Sequence, residues 1–193
     1  MYRLIALVLL LTACASTPPP AAPAAFRTPK APIYSNAVLD LPKLAGTWTQ
    51  VASFGAAGRC KPGGAEIRQT ARGLHAAYRL CQSGQDRRGA GPLQAIGPGR
   101  FAAAGQTVAW WVLWADADYR TLVIGTPDGS FGFILNRGRL PADRLKAARE
   151  ILEWNGYDLT QLVVYWSIRA RSALRWSITP RTPKGAARTS QSK

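Results

Sequence analysis

The sequence is poor in acid, histidine, methionine and cysteine. Its 193 residues include one His, one Met and three Cys, and 10 Asp and Glu stand against 25 Lys and Arg, a formal charge of +15. Each scarcity removes a class of chemistry. The single histidine, His75, falls within an expected strand with no nucleophile or carboxylate beside it, so nothing forms an acid–base pair or a triad. No Cys, His and Asp cluster has metal-ligand spacing, and no glycine-rich phosphate loop leads from a strand into a helix. Neither catalysis nor a metal nor a cofactor is expected. The apolar run at residues 4–11 is far short of the roughly 20 residues a membrane-spanning helix needs. The length suits one domain with a real core and is too small for two large ones.

What is present begins with "MYRLIALVLLLTACASTPPP". One positive charge at Arg3, a short apolar stretch and small residues up to Cys14 form the pattern of a signal peptide. Leu11-Thr12-Ala13-Cys14 resembles the lipobox of bacterial lipoproteins. That resemblance implies cleavage ahead of Cys14, lipidation of its thiol and about three acyl chains of the palmitate type on the residue, of which two already suffice for stable anchoring. With Ala15 following, and no aspartate there, it implies residence at the outer membrane facing the periplasm. Removing Cys14 to lipid leaves Cys60 and Cys81 as an even pair in an oxidising compartment. The strand-like segments on either side of "QTARG" bring the two nearly opposite, and a disulfide closing a loop of about 20 residues would contribute roughly 3 kcal/mol.

Composition divides the rest. Residues 1–13 read as the lipoprotein signal peptide and 14–33 as a lipidated tether, because a Pro and Ala-rich stretch builds no core and favours extended conformations. Residues 34–168 read as the folded domain. Residues 169–193 hold seven Lys or Arg and no acid, the composition of a basic, partly disordered tail. Within the domain, "GTWTQVASF", "GAEIRQ", "LHAAYRLC", "PLQAIG", "RFAAA", "TVAWWVLWA", "RTLVIGT", "SFGFILNR" and "QLVVYWSI" are short apolar or alternating runs, most of them separated by turn residues. Their close spacing predicts antiparallel neighbours. "GAGPLQAIGPGR" reads as turns. One helix is predicted in "LPADRLKAAREILEWNGYD", with Pro141 in its first turn, a stripe of Leu145, Ala148 and Leu152, and Gly156 at its end. The expected fold is all-β with one helix: an eight-stranded antiparallel up-and-down β-barrel, the helix packed outside, and a final short strand.

The order of these elements gives the opening strand a further meaning. Gly46-x-Trp48, the Asp118-Tyr119 pair between the sixth and seventh strands, and Arg137 at the end of the eighth resemble the three signatures of the lipocalin family. With the lipobox and the helix, the chain resembles the bacterial outer-membrane lipocalins. The resemblance covers residues 39–54 and 107–166 and is thin from 55 to 106. The first strand continues Trp48-Thr49-Gln50-Val51-Ala52-Ser53 where the family has Trp-Tyr-Glu-x-Ala-Arg, which leaves the ligand open. It implies that Arg137 lies on the Trp48 indole, a cation–π contact worth about 0.5 to 2 kcal/mol.

An eight-stranded barrel has room for side chains or one small ligand. The candidate lining is Trp110, Trp111, Trp114, Phe131, Phe133, Leu135 and Tyr165, with alternation leaving the register open. Two functions follow. One is an outer-membrane lipocalin lipoprotein binding a fatty acid or lysophospholipid for envelope lipid storage, transport or repair, its basic surface attracted to anionic lipid or lipopolysaccharide head groups. The other is a filled barrel serving as a periplasmic interaction or inhibitor module without a lipid ligand. Nucleic acid is not an expected partner.

Overall fold

The computed structural model describes residues 25–56 and 58–165. Cys14, Trp166 and the basic tail lie outside them. A 3-10 turn, Leu41–Leu44, leads into β1 (Gly46–Phe54), followed by β2 (Gly64–Thr70), β3 (Gly73–Gln82), β4 (Gln85–Gly97), β5 (Arg100–Ala103), β6 (Trp110–Ala115), β7 (Thr121–Gly125) and β8 (Gly132–Asn136). Each strand pairs antiparallel with the next, and β1 pairs with both β2 and β8, so eight strands close a barrel. Helix α1 (Ala142–Trp154) follows, and β9 (Leu162–Val164) bonds to the last residues of β1, outside the closed ring.

Side-chain alternation splits the core in two. Inside the barrel, apolar residues from Leu44 and Trp48 to Phe133 and Leu135 are no more than 8% exposed. Outside, Phe54, Leu113, Val123 and Ile134 pack under α1, which buries the predicted stripe of Leu145, Ala148 and Leu152. Gly156, at φ +82°, ends the helix in the left-handed conformation that glycine adopts without strain.

Two expectations shift. The glycine-rich stretch read as turns is part of β4, a strand of 13 residues. A Cβ on Gly89 would lie 2.3 Å from the Ala104 carbonyl oxygen and 2.5 Å from the Tyr78 hydroxyl, and one on Gly91 would lie 2.6 Å from the Ala104 Cβ. Glycine marks close packing here, not a bend. The packed body also starts ahead of residue 34. Phe26 and Arg27 are buried, and the Phe26 ring sits 5.7 Å from that of Phe54. The Arg27 guanidinium donates to the carbonyls of Asn155, Pro127, Ala31 and Pro32, fastening this strap across the end of α1 and the β7–β8 turn.

Candidate functional site

The barrel has a closed end and a mouth. At the closed end Gly46 adopts φ +131°, and a Cβ there would meet the Arg137 guanidinium at 3.4 Å. Trp48 is fully buried, and its indole N–H donates to the Leu44 carbonyl at 2.9 Å. Arg137 lies 3.9 Å from the centre of that ring, and its Nη2 donates to the carbonyls of Lys43, Leu44 and Ala45. One side chain thus holds the 3-10 turn over the barrel floor. Tyr119, at φ +52°, accepts a hydrogen bond from the Asp40 amide at 2.7 Å. Its neighbour Asp118 is exposed. The carboxylate that organises the turn is Asp116, which accepts from the amides of Arg120 and Thr121 and pairs with Arg144 at 3.3 Å. Nothing in the sequence pattern marked it.

The mouth is roofed by polar side chains. The Tyr78 hydroxyl donates to the Ala104 carbonyl at 2.7 Å and accepts from Gln106 Nε2 at 2.9 Å, while the same Nε2 reaches Gln82 Oε1 at 3.2 Å. Burial pushes the Tyr78 pKa up, so the phenol stays neutral and donating at physiological pH. Cys60 is disulfide-bonded to Cys81, which ties the β1–β2 connection to the top of β3. Gln50, fully buried, bonds both the carbonyl and the amide of Cys81 and so joins β1 to β3 where no strand pairing does. Beneath this roof Tyr78, Trp110, Phe133 and Phe131 form an aromatic chain, with successive ring centres 5.0, 5.4 and 6.0 Å apart. The same interior cluster includes Ala65, Ala76 and Ala103.

Two donors in this region have no partner. The Trp110 indole N–H and Gln82 Nε2 are buried and unbonded, and each residue is 3% exposed. Such groups are rare in folded proteins, and each calls for an acceptor.

The candidate lining divides by register. Trp110, Phe131, Phe133 and Leu135 belong to the interior cluster. Trp111 and Trp114 do not; both pack on the outer cluster, and Trp111 stacks under the Arg100 guanidinium at 4.0 Å. Strict alternation would send Trp114 inward with Trp110. A bulge between Val112 and Trp114 places Leu113 and Trp114 on the outside together. Tyr165 is not in the interior either: it follows β9, and its hydroxyl shares a 2.6 Å hydrogen bond with Ser53. His75 lies on β3 opposite Arg68 and Pro92, away from the interior cluster. Among the described residues no group of three or more His, Cys, Asp or Glu could hold a metal.

The interior is well filled. Two concavities lie outside it: about 370 Å³ beside Phe26, Gly55 and Arg59, and about 520 Å³ beside Arg120, Arg139 and Leu145.

Among known proteins, residues 99–166 match the family model of a lipocalin-like domain. Two solved structures share the architecture. Insecticyanin from the tobacco hornworm Manduca sexta superposes with a TM-score of 0.53 at 15% identity, over 72% of this chain and 86% of its own. The cockroach allergen Per a 4 gives 0.52 at 14% identity, over 71% and 94%. The barrel is lipocalin-like. No curated protein matches the chain. Proteins of the lipocalin fold generally bind small hydrophobic ligands and are typically binding or transport proteins rather than enzymes. In this lipocalin-like barrel the interior is apolar and aromatic and holds two unbonded donors.

Proposed function

We propose that this protein is an envelope lipocalin, tethered to the outer membrane through acylated Cys14, that carries one slim amphiphile, a fatty acid or a lysophospholipid. The pair of unbonded donors, Trp110 Nε1 and Gln82 Nε2, supports this reading. An acyl chain would run along Trp110, Phe133 and Phe131, its burial contributing about 0.8 kcal/mol per methylene. The oxygen acceptors of its head group would meet the donors under the roof of Tyr78 and Gln106. Entry requires that roof to open and the aromatic side chains to swing, since the interior is filled without ligand. The anchor also suits the geometry: the amide of Phe26, near the start of the described chain, bonds Gly129 in the β7–β8 turn, so a lipid upstream would hold the barrel by its mouth end.

The filled interior favours a second reading, a closed barrel that acts through its surface. Tryptophan emission of the protein, titrated with palmitate and with a lysophospholipid below their micelle concentrations, separates the two. The carrier gives a saturable change with one or both ligands. No saturable change with either ligand moves the assignment to the surface module.

A further inference from the structure

We propose a second binding site on the outside of the barrel, the concavity between Arg120, Arg139 and the first turn of α1, for the phosphate group of an organic phosphate. Its walls are Arg120, Arg139, Leu140, Pro141, Ala142 and Leu145, and its volume of about 520 Å³ suits a small ligand. The local fold builds it. Asp116 accepts from the Arg120 amide, and the Arg137 amide donates to the Arg120 carbonyl at 2.8 Å, which sets the β6–β7 turn against the segment leaving β8. The Arg120 guanidinium then lies over Gly138, 3.8 Å from where a Cβ would stand.

Charge decides the ligand. Arg120 and Arg139 are exposed, and among the described residues neither is paired with a carboxylate. Asp116, the nearest buried acid, is already engaged by Arg144 and two amides. Asp118 and Asp143 are exposed and do not line the concavity. Two guanidinium forks on one hollow match a tetrahedral phosphate, which accepts several charge-assisted hydrogen bonds at once. The first turn of α1 has no side-chain cap, and its leading amides have no intrahelical partner; the arginine pair carries the inference. Leu140, Pro141 and Leu145 supply an apolar wall, so an apolar substituent on the phosphate adds affinity. The site shares no residue with the barrel interior, and its test is independent of the carrier reading.

The test is calorimetric titration of the full chain at low salt with dihexanoyl phosphatidic acid below its micelle concentration and, separately, with inorganic phosphate. Saturable binding is expected, weakened at least about tenfold in the Arg120→Gln, Arg139→Gln double variant and less in the double Lys variant, which keeps the charge and loses the forks. Arg149→Gln, an exposed change on α1 outside the hollow, leaves binding unchanged. Equal affinity for the two ligands assigns the site to free phosphates, and a clear preference for the lipid form assigns it to head groups. Absence of binding by either ligand, or undiminished binding by the double Gln variant with its melting temperature unchanged, overturns the proposal. The second outcome would place the binding elsewhere on the chain.

Discussion

Gln50→Leu is the replacement that most sharply tests the packing beneath the mouth. β2 begins at Gly64, so past Thr49 the first strand has no β2 partner, and the Gln50 amide spans the gap to β3. Its Nε2 donates to the Cys81 carbonyl at 2.7 Å, and its Oε1 accepts from the amides of Cys81 at 2.9 Å and Gly63 at 3.3 Å. Leucine removes all of these bonds and strands two amides and a carbonyl. Each stranded group costs about 1–3 kcal/mol, least for the half-buried Gly63 amide, while the added apolar surface returns about 1 kcal/mol, for a net loss of roughly 2–8 kcal/mol. Urea unfolding with the disulfide intact reads this as a lower midpoint at an unchanged slope. If the barrel is a carrier, the same loosening should let ligand enter faster, measurable by stopped-flow tryptophan emission. A loss below about 1 kcal/mol would refute the clamp, because that is the range of an ordinary surface change.

At the other end, Arg137→Ala removes the stack on Trp48 and the contacts to three carbonyls, and should lower stability by about 2–4 kcal/mol. Arg137→Lys should recover less than half of that, since an ammonium neither stacks nor forks alike; full recovery in urea unfolding would show that charge alone matters. Replacing Cys60 and Cys81 together by Ala should cost about 3 kcal/mol, and a free-thiol count on the unreduced protein checks the bond itself. The pH profile of melting follows from the shifted groups. Burial pushes the pKa values of Tyr78 and Tyr157 up, so their contribution is intact below the ordinary tyrosine value and is lost as pH rises through the raised ones. Burial also tends to raise Asp86 and Asp128, but hydrogen bonds from Arg88 and Arg79 to the first and from Ser130 to the second outweigh it. Their contribution stands above the ordinary aspartate value and disappears as pH falls through the lowered ones. An alkaline limb unchanged by Tyr157→Phe would contradict this account.

The helix was legible because its signal is short-range, and the barrel floor because its residues resemble family signatures, although Trp48 and Arg137 are distant in sequence. Gly46, Trp48 and Arg137 act at the ends of two neighbouring strands, and Leu145, Ala148 and Leu152 repeat at the helical period. The same held for the cysteine pair, set by the hairpin between them. What escaped is long-range. Gln50 meets Cys81 and Gln106 meets Tyr78 only after the barrel closes. The bulge after Val112 reversed the face of Trp114, which no alternation count reveals. In β4, Gly89 and Gly91 looked like turn residues because the Tyr78 and Ala104 atoms that exclude a Cβ are distant in sequence. Arg27 sat in a Pro and Ala-rich stretch whose composition argues against packing, and its four carbonyl partners come from three segments of the fold.

On the carrier reading, a ligand's acceptor completes the two unbonded donors inside the barrel. The indole N–H resonance of Trp110, assigned by its disappearance in Trp110→Phe, reports this directly when nitrogen-15-labelled protein is titrated with palmitate or a lysophospholipid. A downfield shift that saturates at equimolar ligand is expected, as the N–H gains a partner. A resonance that stays in place while either ligand is added in excess would contradict that reading.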